Sequence, residues 1–546
     1  MYINTFKYTP KDVSCQLCTE YVKKLGCTAL RCPWLAERIE AGVVGYREAV
    51  LETFPHERRL FQRLNLLIKH YPGSLWSNEQ HERRMQYQCA VQGYRRRRDT
   101  NAYYAAMYLL TSNDDIYRRT ANCFCKDGIE FGYPPMDITV NTLDEYIRQA
   151  NAHRNIANYG MLIGHSALRG CVMGFDNRPP TPEELSAMEK RLDEELSMGA
   201  FGMSLGLIYP PSAFAETGEL DALARIVRKH NGFLAVHIRN EGPRVFESVE
   251  EMLGVAERSG VHLQISHLKI MTKSLWGHSQ RLLDMIDAAR ERGIHVTCDQ
   301  YPFFASSTGM TALVPKWAHA GGLHPMLARI DKPEQKLRDD IACEMESRGG
   351  ADRVMISSTH GAEPAWEGKM VSDIAVQLGQ DPVDTVLTIL QRCHANVHCN
   401  YFSQSEADME NILSRTDIAV ASDGYNYSYD RSITVDTPHP RNFSTFPHAL
   451  ELAREKKLMP MENIVYKMTG LPASMMGMNE RGILAVGKVA DVTIFDWARV
   501  GQAGDYQNSV QRPHGIEYVI VSGEKVLDHG KLTGARPGTI LRHNQC

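Results

Sequence analysis

Gly232-Phe-Leu-Ala-Val-His-Ile-Arg-Asn-Glu-Gly242 and Val261-His-Leu-Gln-Ile-Ser-His-Leu-Lys269 each carry a short apolar run that ends at a histidine, His237 in the first and His267 in the second. A third run, Asp417-Ile-Ala-Val-Ala-Ser-Asp-Gly424, ends in the same way at Asp423. Apolar runs of this length read as buried strands of a parallel sheet, and side chains at the carboxyl ends of such strands converge on one mouth. Taken singly, each residue has a plain explanation as a hydrogen-bonded strand-end group; three in equivalent positions read as one site. Two neutral imidazoles with a carboxylate suit Zn2+ that activates water for hydrolysis.

Outward from these runs, strand-like and helix-like segments alternate. Strands are expected at 160–165, at 201–208 and at 294–301, besides those that end at His237, His267 and Asp423. Helices are expected over 182–197, 217–229, 245–258 and 279–291. Thr181, with Pro182 next and Glu184 three places on, forms a capping box for the first of them. An irregular region and more helix separate 301 from the Asp423 strand. Strand, helix, strand in repetition predicts right-handed βαβ units, hence an α/β fold with a parallel barrel of which six strands can be counted. In the tail, Ala490–Phe495, Ile516–Gly523 and Lys525–Leu527 read as antiparallel strands of a small β-sheet.

The first 132 residues differ in composition. They hold seven of the thirteen cysteines, and 20 Lys+Arg against 14 Asp+Glu, a net of +6 where the remainder carries 41 against 51, or −10. Such a break argues for separate modules: 1–132, Cys-rich, basic and mostly helical (33–40, 57–68 and 101–110); 137–478, the barrel; and 479–546, the small sheet. Gly132-Tyr-Pro-Pro135 reads as the linker. Cys15, Cys18, Cys27 and Cys32 form two close pairs that could hold a structural zinc or be small buried apolar residues. Arg95 to Arg98 could contact phosphate, or form a solvated face. Hydrophobic content of 43% and charged content of 23% belong to an ordinary globular protein. No basic-then-apolar leader and no run of the roughly 20 apolar residues that a membrane span requires is read in the chain, which places it in the cytoplasm as an expectation.

Residues from about 137 to 543 resemble the D-aminoacylase (N-acyl-D-amino-acid deacylase) branch of the metal-dependent amidohydrolases. The stretches that carry the resemblance are Gly-His-Ser-Ala-Leu-Arg (164–169), Ser-Leu-Gly-Leu-Ile-Tyr-Pro-Pro (204–211), His-Ile-Arg-Asn-Glu-Gly (237–242), Ile-Ser-His-Leu-Lys (265–269), Asp-Gln-Tyr-Pro-Phe (299–303), Ala-Ser-Asp-Gly (421–424), His-Pro-Arg-Asn-Phe-Ser-Thr-Phe-Pro (439–447), Lys-Met-Thr-Gly-Leu-Pro-Ala (467–473) and Thr-Gly-Ala-Arg-Pro-Gly (533–538). The resemblance implies that His237 and His267 bind zinc and that Asp423 takes the proton from attacking water. It further implies that Lys269 and Arg441 hold the carboxylate of an N-acyl-D-amino acid, with Tyr301, Ser307 and Tyr209 lining the pocket. A guanidinium fork and a lysine point charge suit that task, although structural ion pairs would explain both cations equally.

The chain departs from the family at its front. Members normally open with strands of the small sheet, then a first barrel strand with His-x-His and a second with a metal-ligating Cys in Asn-Cys-Gly; residues 1–136 contain neither motif. Barrel strands three to eight are therefore expected, joined to a foreign front module, with a ligand set reduced to two histidines and Asp423. Two readings follow. One is a zinc-dependent hydrolase of N-acyl-D-amino acids, impaired by the missing ligands; the other is an inactive fusion whose front module binds nucleic acid or a protein partner.

Overall fold

The computed structural model describes residues 142–543, apart from 153, 432, 433 and 435. The cysteine set Cys15, Cys18, Cys27 and Cys32, the arginine run, the three front helices and the linker lie outside the described residues.

Fifteen strands occur among the described residues: β1 (Tyr159–Gly160), β2 (Leu162–Gly164), β3 (Gly202–Gly206), β4 (Phe233–His237), β5 (His262–Ile265), β6 (Val296–Gln300), β7 (Ser306–Gly309), β8 (Val354–Ser358), β9 (His398–Tyr401), β10 (Ala419–Val420), β11 (Val492–Phe495), β12 (Ile516–Val521), β13 (Glu524–Asp528), β14 (Lys531–Leu532) and β15 (Ile540–Leu541). Six of them form one parallel sheet in the order β2-β3-β4-β5-β6-β10. These are the six barrel strands that the sequence predicts, in chain order. Among the described residues β2 and β10 are its two edges.

Helices connect neighbouring strands: Pro182–Ser197 before β3, Thr217–Lys229 before β4, Val245–Ser259 before β5 and Ser279–Glu291 before β6. Their bounds agree with the expected ones to within a residue because each carries both a stripe and a stop. Leu220, Leu223, Ala224 and Val227 line the buried face of the second. Gly260, in the left-handed region at φ 68°, ends the third. Thr181 and Glu184 form the expected capping box, each side chain accepting the other's backbone N–H. Gly202 is required where β3 passes β4, since a Cβ there would stand 1.8 Å from the Phe233 carbonyl oxygen.

Two readings of the sequence are corrected. The first parallel strand stops at Gly164, and His165 already opens a helix that runs to Met173. The irregular region before Asp423 contains a second sheet, antiparallel, in the order β7-β9-β8. Ser-Ser-Thr-Gly of β7 and His-Cys-Asn-Tyr of β9 lack the apolar alternation that marks a strand, so pattern reading passes over them. In the tail, β11 to β14 form the expected antiparallel sheet, and β15 pairs with β1. Among the described residues no helix is long and apolar enough to cross a membrane.

At the amino ends of β5 and β6, opposite the ends that carry His237 and His267, the rings of His262 and His295 stack at 3.8 Å and 9°. Burial, with His295 adding to it, pushes His262 down to about 4. An unfolded histidine takes up its proton near pH 6.5, about the ordinary value. The unfolded chain therefore gains a proton that the folded chain refuses, and stability is lost as the pH falls from about 6.5 to about 4. His262→Gln is expected to lose less stability than the wild type between pH 7 and pH 5 in urea unfolding; an equal loss in both would refute this.

Candidate active site

The parallel strands deliver the expected residues to one end of the sheet. His237 is the last residue of β4, His267 lies two past β5, Tyr301 one past β6 and Asp423 three past β10. Hydrogen bonds beyond the strands keep this end closed: Leu207 N–H donates to His237 O, Ser266 N–H to Val236 O and Ala421 N–H to Gln300 O, each at 3.0 Å.

His237 Nδ1 and His267 Nε2 stand 2.9 Å apart with their rings edge to face. Glu241 lies beside them: its Oε1 is 3.0 Å from His267 Nδ1 and its Oε2 is 3.6 Å from His237 Nε2. The ligating atoms of His237, Glu241 and His267 all fall within 4.8 Å of one another. Lys269 Nζ donates to Glu241 Oε1 at 2.5 Å and lies 2.7 Å from His267 Nδ1. Asp423 is in a different pair, its Oδ2 2.7 Å from Arg441 Nη1. Arg441 also donates to the backbone carbonyl of Ser307 at 3.1 Å, and its guanidinium sits 5.0 Å from the Tyr301 ring centroid. Tyr209 packs against His237 at 5.2 Å and shares a hydrogen bond of 2.8 Å with Thr308.

Two of these positions have positive φ. His267 has φ 43° and Asp423 φ 47°, in the left-handed region that few L-residues adopt, Asn, Asp and His most often among them. Such a residue costs on the order of 1–3 kcal/mol, and the surroundings must hold it. For His267 the hold is Asp299, whose Oδ1 accepts the His267 N–H at 2.7 Å and whose carbonyl accepts the Leu268 N–H at 2.8 Å. Gln264 Nε2 fixes the other oxygen of Asp299 at 2.7 Å.

The electrostatics follow from burial and pairing. Burial pushes His237 down to about 3, so it is a neutral lone-pair donor at ordinary pH. Burial would raise Glu241, but His237, Lys269 and His267 outweigh it and hold the carboxyl well below its usual range. At Asp423 desolvation likewise raises the carboxyl, and Arg441, His267, Lys269 and His237 together, Arg441 foremost, bring it below its usual range. Its side chain is 38% exposed, while that of Arg441 is 4% exposed. Arg441 opens the helix Arg441–Glu455, where a cation opposes the macrodipole. Asp423 offsets this, and His439 fixes the turn: its Nδ1 accepts the Arg441 N–H at 2.9 Å and its Nε2–H donates to Ala305 O at 3.0 Å.

Sequence reading names His237, His267, Lys269, Tyr209, Tyr301, Ser307, Asp423 and Arg441, and the fold gathers them at one end of the sheet. Ser307 meets Arg441 through its backbone carbonyl. The sequence reading passes over Glu241 and Asp299, both inside quoted motifs, because their roles depend on partners 28 and 32 residues away. The Gly-His-Ser-Ala-Leu-Arg motif has another task. His165 Nδ1 accepts from Ser212 at 2.7 Å, its Nε2 meets Glu219 Oε1 at 2.8 Å, and Arg169 closes the buried pairing with Glu219, which pins the loop that bears Tyr209.

An imidazole pair with a carboxylate in reach, and a buried His237 Nε2 that makes no hydrogen bond, is a donor set that fits zinc. Such a set on a parallel α/β sheet defines a metal-dependent hydrolase class. Sequence comparison agrees: the amidohydrolase family profile matches residues 127–527. The chain is 34% identical over 400 residues to an N-acyl-D-glutamate deacylase of Alcaligenes xylosoxydans xylosoxydans, covering 73% of this chain and 72% of that protein. It is 31% identical over 398 residues to a D-aminoacylase of the same organism, covering 73% and 72%. A solved N-acyl-D-glutamate deacylase from Bordetella bronchiseptica, complexed with zinc and a phosphonate inhibitor, superposes with a TM-score of 0.62 at 31% identity, covering 75% of this chain and 76% of that one. The chain belongs to the amidohydrolase family, and is with that family a metal-dependent hydrolase of amide C–N bonds.

Because Arg441 is the strongest of the groups that lower Asp423 against desolvation, Arg441→Gln is expected to move the Asp423 carboxyl upward. Carbon-detected NMR titration of labelled aspartates reads this directly, and an unmoved Asp423 would show that Arg441 does not set its charge.

Proposed function

We propose that the chain hydrolyses the amide bond of N-acyl-D-amino acids in the cytoplasm, releasing a carboxylate and the free D-amino acid, with zinc held by His237 and His267. The observation that carries this reading is that both histidines, a paired carboxylate and a buried guanidinium meet at one end of the parallel sheet. The names of the similar proteins, deacylases of N-acyl-D-amino acids, supply the substrate class. When bound, zinc supplies Lewis acidity toward the scissile carbonyl and water.

The chain's own groups do the rest. Arg441 receives the substrate's carboxylate with its planar fork, while Tyr301 beneath it and Tyr209 and Ser307 beside it bound the pocket. Lys269, 5.6 Å from the Tyr301 ring centroid, adds positive potential behind that position. Asp423 takes a proton from the attacking water on a carboxylate oxygen and returns it to the leaving nitrogen. Its pairing with Arg441 gives this a trigger: a substrate carboxylate that shares the guanidinium weakens its hold on Asp423 and raises the basicity of that oxygen where it is needed.

The test is an amidase assay on a panel of N-acetyl-D- and N-acetyl-L-amino acids, with zinc added and then chelated. Turnover confined to D-substrates and lost on chelation is the expected result. Asp423→Asn, which keeps the shape and removes the basic oxygen, is expected to lower kcat by roughly 100-fold or more with little change in zinc content. Wild-type turnover in that variant, or turnover of L-substrates alone, refutes the reading.

A further inference from the structure

We propose that Glu241 is a third protein donor of the metal site, alongside His237 and His267, with Lys269 as its fixed counter-cation. This rests on the zinc-dependent reading above and adds a residue to it.

Glu241 is 4% exposed, and a carboxylate there survives only with opposite charge or donors at both oxygens. Lys269, itself 4% exposed, supplies one N–H to Oε1. Oε2 faces His237 Nε2 at 3.6 Å, beyond hydrogen-bond distance, and that nitrogen is buried without a hydrogen-bond partner. A ring nitrogen and a carboxylate oxygen, both of a type that ligates zinc, thus face each other across a gap. The gap has the size of a shared ion: ligands about 2.0–2.2 Å from one zinc stand roughly 3.3–3.6 Å apart at the tetrahedral angle. The backbone holds the carboxylate there, since the Glu241 carbonyl accepts the Met271 N–H at 2.6 Å. Asp423 does not compete for this place, because its charge is answered by Arg441 and it lies outside the three-residue group. Two histidines and a glutamate are also a complete protein set for a catalytic zinc, which leaves the fourth position open.

A structural alternative exists, in which Glu241 does no more than neutralise buried Lys269. The two separate by substitution in the full chain. Zinc binding is measured by isothermal titration calorimetry, with His237→Ala as the baseline, so that zinc held elsewhere in the chain, at Cys15, Cys18, Cys27 and Cys32 for instance, cancels. Glu241→Gln is expected to weaken the His237-dependent binding at least about tenfold, as removal of a ligand or of its direct support does. Lys269→Met, which keeps the donor and removes the competing charge, is expected to bind as tightly as the wild type or more so. The double variant Glu241→Gln/Lys269→Met, with no unpaired buried charge, is expected to stay as weak as Glu241→Gln; circular dichroism of each metal-free variant confirms folding. Wild-type affinity in Glu241→Gln or in the double variant overturns the proposal. So does a loss in Lys269→Met equal to that in Glu241→Gln, which would mark an ion pair and not a ligand. If the wild type shows no His237-dependent zinc, the hydrolase reading falls with the proposal; if it binds zinc and only Glu241→Gln fails to weaken it, the hydrolase reading stands.

Discussion

At the carboxyl end of this sheet charges are placed where water is scarce, and each has to be answered by another. Two ion pairs do this, Glu241 with Lys269 and Asp423 with Arg441. They differ in kind. The first is sealed, with both partners 4% exposed, and further tied to His267. The second is half open, since Asp423 is 38% exposed. A sealed pair persists through a reaction cycle because parting it would leave a naked buried charge; an open pair can exchange one partner for an incoming anion at small cost. This difference fits the proposed roles, in which the sealed pair holds the site and the open one works in it.

The backbone carries the same division. His267 and Asp423 both sit at positive φ, a conformation that has to be held from outside. His267 is held by a half-buried carboxylate: desolvation raises Asp299, and the His267 N–H is the contact that most opposes it. Asp423 is held by the cation that opens the helix beginning at Arg441. Strain at one residue is thus offset by an electrostatic need at its neighbour. The motifs around these residues include the supporting groups Gln264, Asp299 and His439 for that reason.

Much of the fold was legible from local signals. The four crossover helices have apolar stripes and recognisable ends, and the parallel strands are short apolar runs that stop at polar residues. What was not legible is what depends on distant partners. β7 and β9 owe their strand conformation to each other and to β8 more than to their own polar sequences. For the site, the residue types and their strand-end positions marked His237, His267 and Asp423. Glu241 looks in sequence like a loop acid, and only the placing of Lys269 28 residues later shows that it is buried and paired. Charge pairing across neighbouring strands has no period, so no pattern in one segment announces it.

The strand order also decides which parts of the site bear the consequences of the sheet's edges. His237, Glu241, His267, Lys269 and Asp299 come from β4, β5 and β6 and the turns that follow them, and each of these strands has a neighbour on both sides. Asp423 follows β10, a two-residue strand that among the described residues pairs with β6 alone and so forms an edge of the sheet. An edge strand opens at lower free energy than a central one, because fewer ladder bonds and contacts must break. The proposed donor group is therefore built into the most constrained part of the sheet, while the carboxylate proposed to transfer the proton depends for its place on Arg441 as much as on its strand. The buried relay of His165, Ser212 and Glu219 does for the β2 side what Arg441 does for the β10 side. Each edge is tied down by a polar network next to the site, where a parallel sheet of six strands has the least backbone pairing of its own.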